Sequence, residues 1–354
     1  MKYKIVNIKT TAGTDPDVSI LIIYTGGTLG MVYNESGSLV PFNFSKIRDI
    51  IPSLQQYDLR LTVISFPQPI DSSNVNPANW ADLAYIIHEN YAQYDGFVVL
   101  HGTDTMAYSA SALSFMLQGL NKPVIFTGSQ LPMGVMRSDA RENLFTAIEI
   151  AAARENGRPV VPEVSIFFDS YLLRGNRSKK LRSSHFSAFA SENYPALAVA
   201  GILIDYNTAA MLPYEPKRKL VVKKKFDTNV AIMTIFPGMT EQLVRQILST
   251  PGLKGVVMVT YGSGNAFTSE WFLNCLREAT QKGIIFLNVS QCAGGRVLQG
   301  RYATSEQLEK IGIVGGSDLT LEAALTKLMF ILGNHHDPTE IKTLLREPIA
   351  GEMT

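Results

Sequence analysis

The chain has 354 residues, 46% of them apolar and 18% charged, with a formal net charge of +1 and a pI near 7.7. That length predicts two domains with ample core, and the balanced charge offers no electrostatic footing for nucleic acid or an anionic membrane. No stretch reaches the ~20 apolar residues that span a bilayer. The polar start, Met1 to Asp17, carries no signal-type apolar core, and two cysteines make no disulfide framework, so a cytoplasmic location is expected.

Ser19 to Tyr24 reads as a buried strand that leaves its sheet through Thr25-Gly26-Gly27-Thr28-Leu29-Gly30. The glycine spacing is wrong for a dinucleotide fingerprint, and no Gly-Lys-Ser/Thr phosphate loop occurs. Met31 to Phe44 is expected to be a loop that closes over the site. A second strand runs near Leu59 to Phe66 and leads to the polar turn holding Asp71 and Ser72. Asn76 before Pro77 predicts a helix start, with Trp80, Leu83, Ile87 and Tyr91 facing the sheet. Gly96 to Leu100 is a strand ending in His101-Gly102-Thr103-Asp104-Thr105, followed by an Ala/Ser/Leu-rich helix. Lys122 to Thr127 is a strand ending in Gly128-Ser129-Gln130. A helix over Ser138 to Arg154 and a strand over Val164 to Phe168 precede the basic run Arg174 to Arg182.

Alternating strands and helices predict an α/β fold with a larger N-terminal, mainly parallel sheet of the Rossmann or flavodoxin kind. The Pro- and Lys-rich stretch 207–227 reads as a linker between a first domain, 1–206, and a second, 228–354. Strands over Val230 to Phe236, Gly255 to Tyr261 and Ile284 to Ser290, with helices at Glu241 to Leu248, Glu270 to Gln281 and Leu321 to Leu332, predict a smaller parallel-sheet α/β domain.

Ligands of open α/β sheets bind beyond the carboxyl ends of the strands. Those ends supply Thr25 and Thr28, Thr103-Asp104 and Ser129. A loop supplies Ser72, and the basic run supplies Lys180. A hydroxyl nucleophile needs a base or a neighbouring charge, and a lysine close to a carboxylate and a second hydroxyl meets that need. A carboxylate suits an ammonium group, while hydroxyls and backbone N–H groups suit a carboxylate. The set therefore reads as a pocket for a zwitterionic amino acid with a reactive side-chain carbonyl. Thr25 reads as a turn former. His101 reads as a buried hydrogen-bonding residue, and His335-His336 as a solvated helix end rather than a metal site. Cys292 reads as a small apolar filler.

The Thr25–Gly30 and His101–Thr105 segments together resemble the two signatures of bacterial-type L-asparaginases. Arg174 to Lys180, Tyr261-Gly262-Ser263-Gly264-Asn265 and the Gly316 to Leu328 segment resemble the cytosolic, type I branch. The resemblance implies a cofactor-free, metal-free hydrolysis of L-asparagine by a homotetramer or homodimer. It implies Thr28 as the nucleophile that forms a β-aspartyl ester, with Thr103, Asp104 and Lys180 relaying protons. Asp104 would hold the substrate's ammonium, Ser72 and the backbone at Asp71 its carboxylate, and the backbone at Ser129 its amide.

Many members place a tyrosine on the loop after the first motif, where Gly37-Ser38-Leu39-Val40-Pro41 has serine. Tyr302 is expected to take that role, with Tyr33 the alternative. In the type I branch, the neighbourhood of Cys292 and the residue before the catalytic lysine, here Lys179, can form an allosteric asparagine site between subunits. Lys179 is long enough to fill or rewire such a site. The rivals are a glutaminase-asparaginase, the amidase subunit of a tRNA-dependent amidotransferase, and a non-catalytic amino-acid sensor. A sensor has no need of the lysine.

Overall fold

The computed structural model describes residues 3–9, 16–34, 36–44, 58–300 and 303–354. The chain divides into two compact units: the residues up to Ser191 with Pro195–Val222, and Glu192–Tyr194 with Lys223–Thr354.

The first unit is built on a nine-stranded sheet. Its strands are β1 (Lys4–Lys9), β2 (Val18–Tyr24), β3 (Leu59–Ser65), β4 (Gly96–Leu100), β5 (Val124–Thr127), β6 (Val164–Phe168), β7 (Tyr171–Arg174), β8 (Ala198–Ala200) and β9 (Ile204–Tyr206). Their spatial order is β1-β3-β2-β4-β5-β6-β7-β8-β9. The five strands from β3 to β6 are mutually parallel. β1 and β7 to β9 add antiparallel edges. Strands β2, β4 and β5 are buried almost throughout, as continuous apolar runs covered on both faces must be. β1 lies in the polar start, where the sequence reading places no strand. Its exposed Lys4 marks an edge strand, where charge discourages further pairing.

Helices α1 (Pro77–Asn90), α2 (Met106–Met116) and α3 (Ala140–Ala152) accompany this sheet. α1 starts as its sequence predicts. The Asn76 side chain accepts from Ala78 N, Asn79 Oδ1 accepts from Asn76 N, and Pro77 opens the first turn. Nearly all of α2 is buried, so its composition rather than its periodicity announces its place.

The Met31 to Phe44 stretch is more ordered than the expected loop. Met31–Tyr33 and Leu39–Pro41 form an antiparallel hairpin. Its turn is held by Asn34 Oδ1, which accepts from Ser36 N, Ser36 Oγ and Ser38 N. Short polar side chains that bond their own backbone make this tight reversal. Within 207–227, Val221–Val222 pairs with Leu117–Gln118, and the division between the units falls after Val222.

The second unit holds a four-stranded parallel sheet, β10 (Val230–Thr234), β11 (Gly255–Thr260), β12 (Ile285–Ser290) and β13 (Val314–Gly315), in that spatial order. Helices α4 (Glu241–Leu248), α5 (Glu270–Gln281), α6 (Ala303–Ile311), α7 (Leu321–Asn334) and α8 (Pro338–Arg346) follow. Met233, Val244, Val256, Phe272, Leu276 and Phe286 are among the residues of one apolar core. Among the described residues, no helix is long and apolar enough to cross a membrane.

Candidate active site

Three backbone segments meet beyond the carboxyl ends of β2 and β4. Thr25 is buried, and both its N–H and its Oγ1 donate to Leu100 O, at 3.1 and 2.9 Å. Its own carbonyl accepts from Ile70 N at 2.7 Å. The hydroxyl is thus spent on joining two strands, as a turn former's should be. Gly26 and Gly27 follow with φ of 143° and 85°. A Cβ on Gly26 would lie 2.2 Å from Ile70 O, and one on Gly27 would lie 2.5 Å from Gly102 N. Only glycine allows this approach together with these angles. The close packing puts Thr28 at the start of a short 3₁₀ turn, half-buried, beside the His101–Thr105 segment.

Ser72 is the buried first residue of another 3₁₀ turn. Its carbonyl accepts from Thr105 Oγ1 at 2.7 Å. Asp71 precedes it and accepts from Ser73 N at 3.1 Å. The backbone and side-chain hydrogen bonds from Ser73 hold the Asp71 carboxyl below its usual range. Ser129 is buried, and its hydroxyl donates to Leu131 O at 2.6 Å. That hydroxyl is turned back into its own loop.

The charged centre is Lys180. Its Nζ donates to Thr103 Oγ1 and to Asp104 Oδ1, both at 2.7 Å. The lysine side chain is 16% exposed and that of Asp104 is 64% exposed, so the ammonium is sheltered while its carboxylate faces solvent. Lys180 reaches this point from a short antiparallel pair in which Lys179 and Lys180 face Ala190 and Phe189. The basic run before it is not a solvated face. Arg174 and Arg177 are buried. Arg174 Nε meets Glu163 Oε2 at 2.6 Å and its Nη2 donates to Ala210 O, while Glu163 Oε1 accepts from Leu212 N. Burying the guanidinium is tolerable because its charge is matched and its donors are used.

His101 is fully buried. Its Nδ1 donates to Gly102 O at 2.7 Å, so its Nε2 accepts from Ser109 Oγ at 2.9 Å, and that hydroxyl accepts from Trp80 Nε1. Burial pushes its pKa down to about 4. The ring is therefore a neutral brace beneath Gly102 and Thr103.

The remaining sequence candidates lie apart from this cluster or outside what is described. Tyr33 is 56% exposed in the hairpin, and Tyr302 lies outside the described residues. Lys179 is half-buried in the first unit. Cys292, in the second, is exposed rather than a buried filler, because its loop leaves the sheet after β12 and its N–H donates to Ser290 Oγ. Among the described residues, no three His, Cys, Asp or Glu side chains come together as a metal-binding group. His335 Nδ1 instead meets Glu340 Oε1 at 2.8 Å.

Two residues at the site escape the sequence reading. Asp139 accepts from Gln130 N at 2.9 Å and from Leu131 N at 3.1 Å. Gln130 Nε2 donates to His185 O at 2.9 Å and to Ser183 O at 3.3 Å. Asp139 has a legible sign, since it stands at the cap of α3, yet its side chain makes no cap bond and turns to the Ser129 loop instead. Gln130 has none.

Residues 19–212 match the asparaginase N-terminal domain, and residues 229–345 match the glutaminase/asparaginase C-terminal domain. The chain belongs to the asparaginase family. It is 40% identical to L-asparaginase 1 of Escherichia coli, over 95% of this chain and 98% of that one. It is also 40% identical to a 60 kDa lysophospholipase of Mus musculus, over 96% of this chain but 63% of that longer protein. The crystal structure of L-asparaginase I from Vibrio cholerae superposes with a TM-score of 0.85 at 38% identity, covering 95% and 99% of the two chains. The asparaginase fold thus accounts for both α/β units.

Proposed function

We propose that this asparaginase-family protein hydrolyses L-asparagine to L-aspartate and ammonia through a threonine ester. The observation that carries the reading is Lys180, which bridges Thr103 Oγ1 and Asp104 Oδ1 beside the turn that presents Thr28. Thr28 Oγ1 attacks the side-chain amide carbon. The C–N bond breaks, ammonia leaves with a proton, and a β-aspartyl ester remains. Water then attacks the ester, its proton relayed through the Thr103–Lys180–Asp104 group to the departing Thr28 Oγ1, and aspartate and the Thr28 hydroxyl are released. An ammonium donating to Thr103 Oγ1 stabilises negative charge developing there, which is electrostatic assistance of the preorganised kind.

The exposed face of Asp104 suits the α-ammonium, and Ser72 with the main chain at Asp71 suits the α-carboxylate. The Asp71 carboxylate is drawn back onto Ser73 N, which reduces its repulsion of an incoming carboxylate. The main chain at Ser129 suits the amide, since the hydroxyl is already committed to Leu131. Tyr302 is our choice for the tyrosine that supports the nucleophile. We place the enzyme in the cytoplasm as a homotetramer or homodimer, which light scattering tests. A second asparagine site formed between subunits, with Lys179 and Cys292 as its candidate residues, predicts a sigmoidal velocity curve, and a hyperbolic one removes it.

Ammonia release from asparagine and from glutamine tests the reaction itself. Wild-type protein is expected to turn over asparagine, and Thr28→Ala is expected to lose about 10³-fold or more in kcat, as removal of a covalent nucleophile does. Folded wild-type protein that releases ammonia from neither amide overturns the proposal and leaves a binding protein. A longer substrate such as glutamine is discriminated by only ~1–3 kcal/mol per methylene, so some glutamine turnover is compatible with it.

A further inference from the structure

The Gln130 side chain fastens the Gly128–Ser138 loop to the pair of strands carrying Lys180. Gln130 Nε2 donates to two main-chain carbonyls, His185 O at 2.9 Å and Ser183 O at 3.3 Å. Both belong to the exposed turn that closes the Lys179–Lys180/Phe189–Ala190 pair. The same turn is tied within itself. Leu181 N and Arg182 N donate to Ala188 O, Arg182 Nη1 donates to Ser187 O, and Ser187 N donates to His185 Nδ1. Anything that fixes the turn therefore fixes the direction from which Lys180 reaches Thr103 and Asp104.

The near end of this tether is anchored independently. Gln130 N donates to Asp139 Oδ2 at 2.9 Å and to its Oδ1 at 3.1 Å, and Leu131 N donates to Oδ1 at 3.1 Å. Asn143 Nδ2 donates to Asp139 Oδ2 and to Gly128 O, so α3 holds the loop on both sides of Ser129. Leu131 O accepts from Ser129 Oγ and from Ser138 Oγ. The backbone of Ser129 is consequently rigid with respect to α3 before Gln130 reaches outward.

We propose that Gln130 is a positioning residue for the hydrolysis: it sets the Lys180 hairpin against the Ser129 loop, so that the lysine and the amide-binding backbone keep one geometry. This rests on the reading of Lys180 and Ser129 given above. An amide suits the task because both partners are carbonyls and only its N–H₂ end can satisfy them. A glutamate of equal length would set oxygen against oxygen. Misplacement of a catalytic group by a fraction of an ångström costs rate rather than binding when the binding groups are held elsewhere. Here they are, by Asp139 and Asn143.

The test compares wild type, Gln130→Ala, Gln130→Glu and Lys180→Met in kcat, KM and thermal midpoint with asparagine. Gln130→Ala and Gln130→Glu are expected to lower kcat by about tenfold with KM within about twofold and the midpoint within a few degrees, because the freed carbonyls are in an exposed turn that water reaches. Asp139→Asn, which weakens the anchor of the Ser129 loop, is expected to raise KM instead. Wild-type kcat in both Gln130 variants overturns the proposal. So does a loss of rate that merely follows a loss of folded protein, or a rise in KM in place of a fall in kcat. Failure of the underlying reading is distinguishable, since Lys180→Met would then keep its activity.

Discussion

Two lysine–carboxylate pairs in this protein share one distance and do different work. Lys180 and Asp104 meet at 2.7 Å in the first unit, and Lys327 and Glu352 meet at 2.7 Å in the second. The second pair is wholly buried, at 0% exposure for both side chains. Lys327 Nζ also donates to Glu347 O at 2.6 Å and Leu345 O at 3.3 Å, while Glu352 accepts from Ile349 N and Ala350 N. The other partners named there are backbone groups and the Met353 thioether, at 3.3 Å from Lys327 Nζ, so the cluster presents no hydroxyl for the lysine to activate. Lys180 spends one donor on a hydroxyl and leaves its carboxylate open to solvent. The difference teaches that an ion pair's length says little about its role. The nature of the third partner and access to solvent say more.

Removing each lysine separates the two roles, and Lys180 gives the largest effect. Lys180→Met is expected to lower kcat for asparagine by about 10³-fold, within the range for a proton-transfer group. Its thermal midpoint should stay near wild type, because a pair this open contributes little to stability. Rate assays beside calorimetry check this. If the midpoint falls and the rate per folded molecule survives, the contrast between the pairs is broken.

Lys327→Met should do the reverse. It strands a buried carboxylate and is expected to destabilise by roughly 3–5 kcal/mol, with activity per folded molecule preserved. Lys327→Met/Glu352→Gln should recover part of that loss, because no unmatched charge remains. Urea denaturation of the single and double variants measures the difference, and equal loss in both would mean that shape rather than charge holds the C-terminal tail.

His101 sharpens the comparison with a buried group that is kept uncharged. Its pKa is lowered to about 4 in the fold from an ordinary 6.5. Between those values the unfolded chain binds more protons, so stability is full above pH 6.5 and is lost as pH falls toward 4. The loss approaches roughly 3 kcal/mol at the acid end. Denaturation at pH 7 and pH 4.5 should show it, and His101→Gln should flatten the dependence.

What the sequence makes legible follows the range of each interaction. The Thr25–Gly30 turn and the Asn76-Pro77 helix start depend on neighbours in the chain, and both stand where the residues place them. Asp337-Pro338 is the same kind of signal at the start of α8, with Asp337 accepting from Glu340 N. β1 is hidden because its short apolar run is interrupted by Asn7 and its pairing with β3 spans more than fifty residues. The burial of Arg174 depends on Glu163 and on carbonyls as far away as Ala210, so a run of charges looks solvated until the fold is known. At the site, hydroxyls and charges advertise Thr28, Thr103, Asp104 and Lys180, whereas Gln130 acts through a neutral amide and two distant carbonyls, which no local pattern marks.

The smallest expected effect separates the two threonines of the first turn. Thr25 Oγ1 donates to Leu100 O, but Thr25 N donates to the same carbonyl. Thr25→Val keeps the branched shape and the backbone bond, and the carbonyl it abandons still has a partner. The loss should be about 1 kcal/mol, the net worth of one hydrogen bond, with the rate within a few-fold of wild type. Thr28→Ala should leave stability nearly untouched and abolish turnover. Chemical denaturation and ammonia release on the two variants make the test. If Thr25→Val is as inactive as Thr28→Ala while remaining folded, the nucleophile has been placed on the wrong side of the glycine pair, and the role of Lys180 must be argued again from Thr25.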